Sequence, residues 1–265
     1  MIRARDRLEL PRGVSLEADG LRDDVRGVTV PVNASGRALV DAPTPEVMAA
    51  IAVTTFGAPP TAALADACVF AAALNERYLL NVDVRGGGIA IAARWLRSAW
   101  ILGRHRSLPS WPTRRCTLDT SSRARAALGA AVGALRAGVV GATGVFVVAV
   151  VVGAPFTIAA ALAVALAFGV AVHEAGHALL LARVPAFLGR RGARVAVVHR
   201  PLSRRRTALV ALAGPASGIA LALLAALLAW ASSAAELVAA ELALAPQAVA
   251  LTVVTPDGRR ACGVW

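Results

Sequence analysis

The stretch "AVALAFGVAVHEAGHALLLARV", residues 163–184, places two histidines and a glutamate in a segment that is otherwise apolar enough to cross a bilayer. His173, Glu174 and His177 fall within five consecutive positions, and the chain has four histidines in all. An ionisable side chain inside a membrane span costs about 2.5–3.5 kcal/mol on insertion scales, and such residues are by default functional. A buried polar cluster bonded to neighbouring helices is the structural alternative, but the spacing favours a chemical role.

That spacing is the H-E-x-x-H motif. On a helix, His173 and His177 lie one turn apart on the same face, where both imidazoles can bind one zinc ion. Glu174, next to the first histidine, can then act as the general base for a water that the metal activates. We therefore predict a Zn²⁺ cofactor with His173 and His177 as metal ligands and Glu174 as the catalytic residue.

A catalytic zinc ion takes three protein ligands and leaves its fourth position to water. Residues 175–235 contain no Asp or Glu, so the remaining candidates for the third ligand are His199, Glu236, Glu241 and Asp257. His173 lies about 26 Å along its predicted span, near the cytosolic boundary, and Asp257 follows the last predicted span at that same level. The two glutamates begin that span at the opposite face, where the helix dipole explains them. Asp257 is therefore the predicted metal ligand, and His199 is the alternative ligand. The alternative role for Asp257 is purely structural, as part of a Pro-Asp-Gly turn.

Apolar residues make up 57% of the 265 residues, and the mean hydropathy is +0.65. This is too apolar for one soluble domain, and the excess lies after residue 125. Four segments can span about 30 Å of hydrocarbon, namely 129–152, 156–181, 207–230 and 236–254. Twelve of the sixteen acidic residues precede residue 120. The sequence predicts an α-helical polytopic membrane protein of about four transmembrane helices with a small N-terminal cytosolic domain.

The distribution of arginine predicts the orientation. The loop at 183–206 carries eight Arg and no acidic residue, whereas the connections at 153–155 and 231–235 carry no charge. By the positive-inside rule the loop is cytosolic. The opening 13 residues have no apolar core, so we expect no cleavable signal peptide. We expect a multi-pass cell-membrane protein with its N-terminus, active site and C-terminus toward the cytoplasm.

The net charge of +12 comes entirely from Arg, because the chain has no Lys. We interpret it as a cytosolic face held against anionic lipid, with the lipid bilayer as a partner and no nucleic acid expected. Cys68, Cys116 and Cys262 are widely spaced and form no CxxC pair. They indicate neither a disulfide framework nor a zinc ribbon, and we expect reduced thiols.

Residues 1–87 predict a small α+β domain of winged-helix type. Residues 25–41 predict two short strands around an Asn-Ala-Ser-Gly turn. Residues 44–53 begin a helix with a Thr cap and a Pro, and residues 60–80 predict a second helix that leads to a wing strand at 78–84. Residues 88–125 follow as an amphipathic segment and linker, in which 88–102 either lies on the inner leaflet or is a core helix. Residues 126–265 form the predicted membrane domain.

The membrane half resembles the site-2 protease family of intramembrane zinc metalloproteases. The resemblance covers roughly residues 137–260 and rests on "HEAGH" late in a span, "LAGPASGIALALL" at 212–224 and "PDG" at 256–258. It implies hydrolysis of a peptide bond, with His173, His177 and Asp257 as zinc ligands and the Ala-Gly-Pro as a packing motif. The family's asparagine after that motif falls on Gly218, a departure that concerns substrate positioning.

Residues 26–84 resemble the PqqD-like domains, which grip the leader peptides of ribosomally made, modified peptides by adding them as a strand to a sheet edge. The resemblance implies that this domain recruits the substrate, a membrane-associated protein or a ribosomal peptide precursor. We also expect that residues 192–198, "GARVAVV", can pair with an unwound substrate strand. Two alternatives stay open: a non-catalytic membrane scaffold that presents a peptide-binding domain, and a membrane-tethered winged helix that reads DNA.

Overall fold

The computed structural model describes residues 2–85, 93, 112–191 and 194–244. Several sequence-based predictions lie outside these residues: the proposed ligand Asp257, Cys262, all but one residue of the segment at 88–102, and the second half of the fourth predicted span. The chain divides into two compact units, Met1–Thr117 with Gly189–Gly192 and Leu118–Leu188 with Ala193–Trp265. Each unit has its own core.

The strands of the first unit are short. They are β1 (Arg7–Glu9), β2 (Val14–Glu17), β3 (Gly20–Asp23), β4 (Val28–Pro31), β5 (Asn81–Asp83) and β6 (Thr113–Thr117). β2, β3 and β4 form an antiparallel meander, in which Leu21 stands opposite Leu16 and Val30, and β1 pairs with β5. Gly20 has a φ of +150°, and a Cβ there would lie 2.9 Å from the carbonyl carbon of Val30. Only glycine fits this close approach of β3 and β4.

Three helices pack on these strands: α1 (Ala34–Val40), α2 (Pro45–Phe56) and α3 (Pro60–Glu76). The predicted start of α2 is confirmed, since the Thr44 side chain accepts a hydrogen bond from the Val47 N–H at 3.2 Å and Pro45 takes the first helical position. The core includes the fully buried side chains of Leu21, Met48, Leu79 and Leu80. The first unit is a small α+β domain.

The prediction of two strands within residues 25–41 is wrong for the second strand. β4 is the first of the pair, but Ala34–Val40 is helical. The reason is the Asn33 side chain, which accepts a hydrogen bond from the Gly36 N–H at 2.8 Å and caps a helix instead of closing a turn. The predicted wing strand at 78–84 is present as the shorter β5.

A buried ion pair ties β6 to the meander. The guanidinium of Arg115 donates to both carboxylate oxygens of Asp23, at 2.8 and 3.0 Å, and both side chains are fully buried. Arg26 donates to the same carboxylate at 2.5 Å. Burial opposes ionisation of Asp23, but the hydrogen bonds from Arg115 and Arg26 outweigh it and hold the pKa of Asp23 below its ordinary value. Residues 92 positions apart in the chain are thereby joined.

The second unit is built on long apolar helices: α4 (Arg123–Val151), α5 (Phe156–Leu179), α6 (Arg204–Ser232) and the shorter α7 (Ala235–Leu244). By length and composition α4, α5 and α6 can each cross a membrane. α4 begins six residues earlier than predicted because the Ser122 side chain caps the Arg125 N–H, a polar start that a hydropathy pattern does not reveal. Within the described residues, α7 covers the first half of the fourth predicted span.

Small residues line the contacts between these helices. α5 packs against α4, α6 and α7, and the buried residues of α4 and α5 are mainly Ala and Gly. A Cβ on Gly138 of α4 would lie 3.3 Å from the Ala167 Cα of α5. Close approach of small residues is how helices associate in lipid, while large apolar side chains such as Val151, Phe156 and Trp230 are exposed on the outside. Three candidate membrane spans and a small N-terminal domain are compatible with a membrane protein.

Two strands, β7 (Ala186–Arg191) and β8 (Arg194–His199), connect α5 to α6. They are neighbours, and in the part of the chain that the structure describes β8 lies at the edge of its sheet. Within the stretch at 192–198 that we expect to pair with a substrate strand, residues 194–198 belong to β8. One face of β8 packs Val195 and Val197 against the apolar cluster around Leu181 and Leu188. This packing brings a strand edge to the end of α5.

Candidate metal centre

The last two turns of α5 hold the residues of the H-E-x-x-H motif. One ligand atom from each of His173, Glu174 and His177 can be chosen so that the three lie within 4.8 Å of one another. Glu174 and His177 are buried, and His173 is partly buried. At 1.5 Å per residue, His173 lies about 26 Å along the helix from Phe156. Three ionisable side chains therefore converge near one end of an apolar helix.

The tautomer of His177 is fixed by the neighbouring helix. Its Nδ1 lies 2.6 Å from the Val210 carbonyl oxygen of α6, and because a carbonyl only accepts, Nδ1 carries the proton of this hydrogen bond. In the neutral imidazole the lone pair is then on Nε2. A ligating histidine almost always donates its other ring N–H to a carbonyl or carboxylate in this way.

The two imidazoles face one another through Nε2. The Nε2 atoms of His173 and His177 lie 3.1 Å apart, and the ring planes meet at 79°. Two nitrogens bound to one tetrahedral zinc at 2.0–2.1 Å would be about 3.3 Å apart. Without a cation, a proton on the His173 Nε2 must occupy the space between them. The donor set, the tautomer and the separation therefore fit a zinc ion.

Glu174 is oriented by the edge of β8. Its Oε2 accepts a hydrogen bond from the Val197 N–H at 3.0 Å. A carboxylate held by one oxygen can turn the other toward a neighbouring proton donor. This arrangement suits a general base better than a side chain that is free to rotate.

Two glycines bring α5 and α6 together at the motif. A Cβ on Gly214 of α6 would lie 2.5 Å from Cε1 and 2.7 Å from Cδ2 of His177, and nearer still to Nε2. A Cβ on Gly176 of α5 would lie 2.5 Å from the Ala213 carbonyl oxygen. Gly214 belongs to the Ala-Gly-Pro that the sequence analysis singled out. That tripeptide packs directly on a predicted metal ligand.

The remaining candidate ligands differ in position. His199 ends β8, and its Nδ1 donates to the Arg200 carbonyl at 2.7 Å. Among the described residues it is not part of the cluster of possible ligands. Glu236 is exposed in the first turn of α7, as the helix-dipole explanation predicts, and Glu241 is partly buried one to two turns further on. Asp257 lies outside the described residues.

Sequence reasoning missed the groups that support the motif. The Val210 carbonyl and the Val197 N–H belong to the backbone, and no side-chain pattern identifies them. Gly214 was noticed as part of a motif, but its contact with His177 was not predicted. A glycine in the middle of a helix that otherwise uses alanine freely was the available signal, because glycine costs about 1 kcal/mol relative to alanine there.

The described residues combine three helices that are long and apolar enough to cross a membrane with a His-Glu-His cluster, at one end of an apolar helix, that could hold a metal ion. No family model, curated protein or solved structure matches the chain.

Proposed function

We propose that this chain is an intramembrane zinc metalloendopeptidase of the site-2 protease type, which hydrolyses a peptide bond of a membrane-associated protein or a ribosomal peptide precursor. One observation carries the proposal. The Nε2 atoms of two histidines face each other at 3.1 Å, in an apolar helix and beside an oriented carboxylate. A site that only stabilised the fold would have no need for a carboxylate next to that pair.

The proposed roles are metal binding by three side chains and proton transfer by Glu174. His173 and His177 would hold the ion, with Asp257 as the proposed third ligand. When bound, zinc supplies Lewis-acid polarisation of a peptide carbonyl and lowers the pKa of water. Glu174 keeps Oε2 on the Val197 N–H, so we assign proton transfer to Oε1: it takes a proton from water and later passes it to the leaving amine.

The edge of β8 is the proposed place for the reacting segment. A peptide bond within a helix hides its carbonyl, so the substrate must be extended to react. β8 is an edge strand, and its Val197 N–H points to Glu174. A substrate strand alongside β8 would therefore bring its backbone next to the carboxylate.

The N-terminal domain offers a groove for recruitment. The groove has a volume of about 370 Å³, lies beside the edge strand β4 and helix α3, and has walls that include Val30, Val32, Phe70 and Leu74. Arg77 adds a cation. An apolar groove next to a strand that has a free edge among the described residues suits an extended peptide, which supports the PqqD-like role.

We also propose that the N-terminus, the active site and the C-terminus face the cytoplasm. Residues 183–206, which follow the end of α5 that holds the motif and include the first turn of α6, carry eight Arg. Positive loops of membrane proteins remain on the cytosolic side. Water would reach Glu174 from that side.

The test compares cells that produce the wild-type chain with cells that produce Glu174→Gln. Loss of a general base lowers the rate by about 10²–10⁴-fold. We expect mass spectrometry to find a peptide or membrane-protein fragment that is formed by the wild type and is at least about 100-fold rarer with the variant.

Glu236→Gln is the matched control, because Glu236 is an exposed carboxylate of α7 outside the cluster. It should leave the fragment unchanged. The alternative of a non-catalytic scaffold predicts identical fragments in all three strains, a result that would refute the proposed hydrolysis.

A further inference from the structure

We propose that Gly214, with the Val210 carbonyl one turn before it, is a positioning residue that sets the tautomer and the location of His177 for metal binding. The inference rests on the proposed zinc function and adds α6 to the site. It assigns a role to a residue that neither binds the metal nor takes part in the reaction. It also explains why the Ala-Gly-Pro of α6 lies opposite the H-E-x-x-H motif.

The contact between α6 and His177 leaves no space for a side chain at position 214. The three atoms nearest to a Cβ on Gly214 all belong to the His177 imidazole, at distances that real Cβ atoms do not show. The ring therefore lies directly against the backbone of α6. Any side chain at 214 would push the ring away from α6 and change the distance between the two Nε2 atoms.

The hydrogen bond from His177 to the Val210 carbonyl also depends on position 214. In an α-helix the carbonyl of residue 210 points along the axis toward residue 214. The His177 Nδ1 reaches that carbonyl at 2.6 Å, so the ring must pass close to position 214. A methyl group there would weaken the bond that places the lone pair on Nε2. One glycine thus controls both the position and the tautomer of the ligand.

Gly144 of α4 offers a contrast within the same unit. A Cβ added there would meet nothing within 4 Å. Both glycines lie inside long apolar helices, so exchanging either for alanine favours the helix by a similar amount, about 1 kcal/mol. Only Gly214 has a metal ligand against it. Gly144→Ala is therefore a matched control for Gly214→Ala.

The experiment measures the zinc affinity of the full chain in detergent by competition with a fluorescent zinc chelator. Loss of a partner that orients a metal ligand costs about 10–100-fold in affinity. We expect Gly214→Ala to weaken zinc binding by that factor and Gly144→Ala to bind like the wild type. The zinc-dependent rise in melting temperature should fall in parallel for Gly214→Ala, a change that a purely structural role would not produce.

A double-mutant cycle separates the contact with His177 from a general effect of Gly214→Ala on the fold. His177→Asp replaces the ring by a smaller ligand, so adding Gly214→Ala to it should cost much less affinity than in the wild type. An equal cost in both backgrounds overturns the inference, as does unchanged affinity in Gly214→Ala. If the wild type itself binds no zinc, the proposed function fails and this inference fails with it. If the wild type and Gly214→Ala bind zinc with the same affinity, only this inference fails and the proposed function stands.

Discussion

Two polar clusters of the molecule, one around Asp23 and one around His173 and His177, differ in the charges that meet in them. In the N-terminal unit, Asp23 accepts hydrogen bonds from the Arg115 and Arg26 side chains and from the Val25 N–H, so opposite charges meet within the protein. In the membrane unit, two imidazole nitrogens face one another, and only a proton or a cation can lie between them. The first cluster joins opposite charges that the protein itself supplies, whereas the second is the pair that we propose to hold a cation.

This difference separates a structural role from a functional one. A buried ion pair whose two charges both belong to the protein needs no added ion. Two imidazole nitrogens at this distance share a proton or bind one cation, and we propose the cation for His173 and His177. Removing a member of the first cluster should therefore affect unfolding, and removing a member of the second should affect metal binding.

The largest expected effect concerns Asp257, the proposed third ligand. Asp257→Ala should lower zinc affinity by more than the 10–100-fold typical of outer partners, because we propose that Asp257 binds the ion directly. His199→Ala should leave it unchanged, since His199 donates to a backbone carbonyl apart from the cluster. Chelator competition on the two purified variants measures both values. The reverse result would make His199 the ligand.

The next effect concerns the first cluster. Asp23→Asn leaves the Arg115 guanidinium buried without its counter-charge and should destabilise the N-terminal unit by about 3–5 kcal/mol. Asp24→Asn is the matched control, because Asp24 pairs with Arg22 on the surface and should matter little. Pulsed labelling of the partly buried thiol of Cys68 in α3, in a chain whose other two cysteines are serine, follows unfolding of this unit. Zinc affinity should stay at the wild-type value in both variants.

The smallest effect is the pH dependence of the same pair. The pKa of Asp23 in the folded protein lies below its ordinary value, so its contribution is complete above the unfolded pKa and is lost as the pH falls through the folded pKa. The stability difference between wild type and Asp23→Asn should be constant at neutral pH and shrink below about pH 4. Amide hydrogen exchange of residues 2–85 in acidic buffers, measured by mass spectrometry, follows it. A difference that shrinks on raising the pH from 7 would contradict this assignment.

Local patterns made one part of the fold predictable. Thr44 and Pro45 identified the start of α2, and continuous apolar sequence identified α4, α5 and α6. The H-E-x-x-H motif identified the side chains that α5 brings together. Each of these signals lies within one helix or its cap, where spacing in sequence determines spacing in the structure.

Long-range partners could not be predicted in the same way. Arg115 is one of 28 arginines, and nothing in the sequence marks it as the partner of a carboxylate 92 residues away. The Val210 carbonyl and the Val197 N–H are backbone groups that every sequence contains. Asn33 was assigned to a turn because Asn-Ala-Ser-Gly suits a turn and a helix cap equally, and only the following packing of α1 distinguishes them.

The central claim is tested most directly by the zinc content of the wild-type chain. The wild type and His177→Ala are purified without chelators, and the zinc in each protein is measured by elemental mass spectrometry. We predict about one zinc per wild-type chain and almost none in the variant. A metal-free wild type, or equal zinc in both proteins, would contradict the claim that His173 and His177 hold one cation at the end of α5.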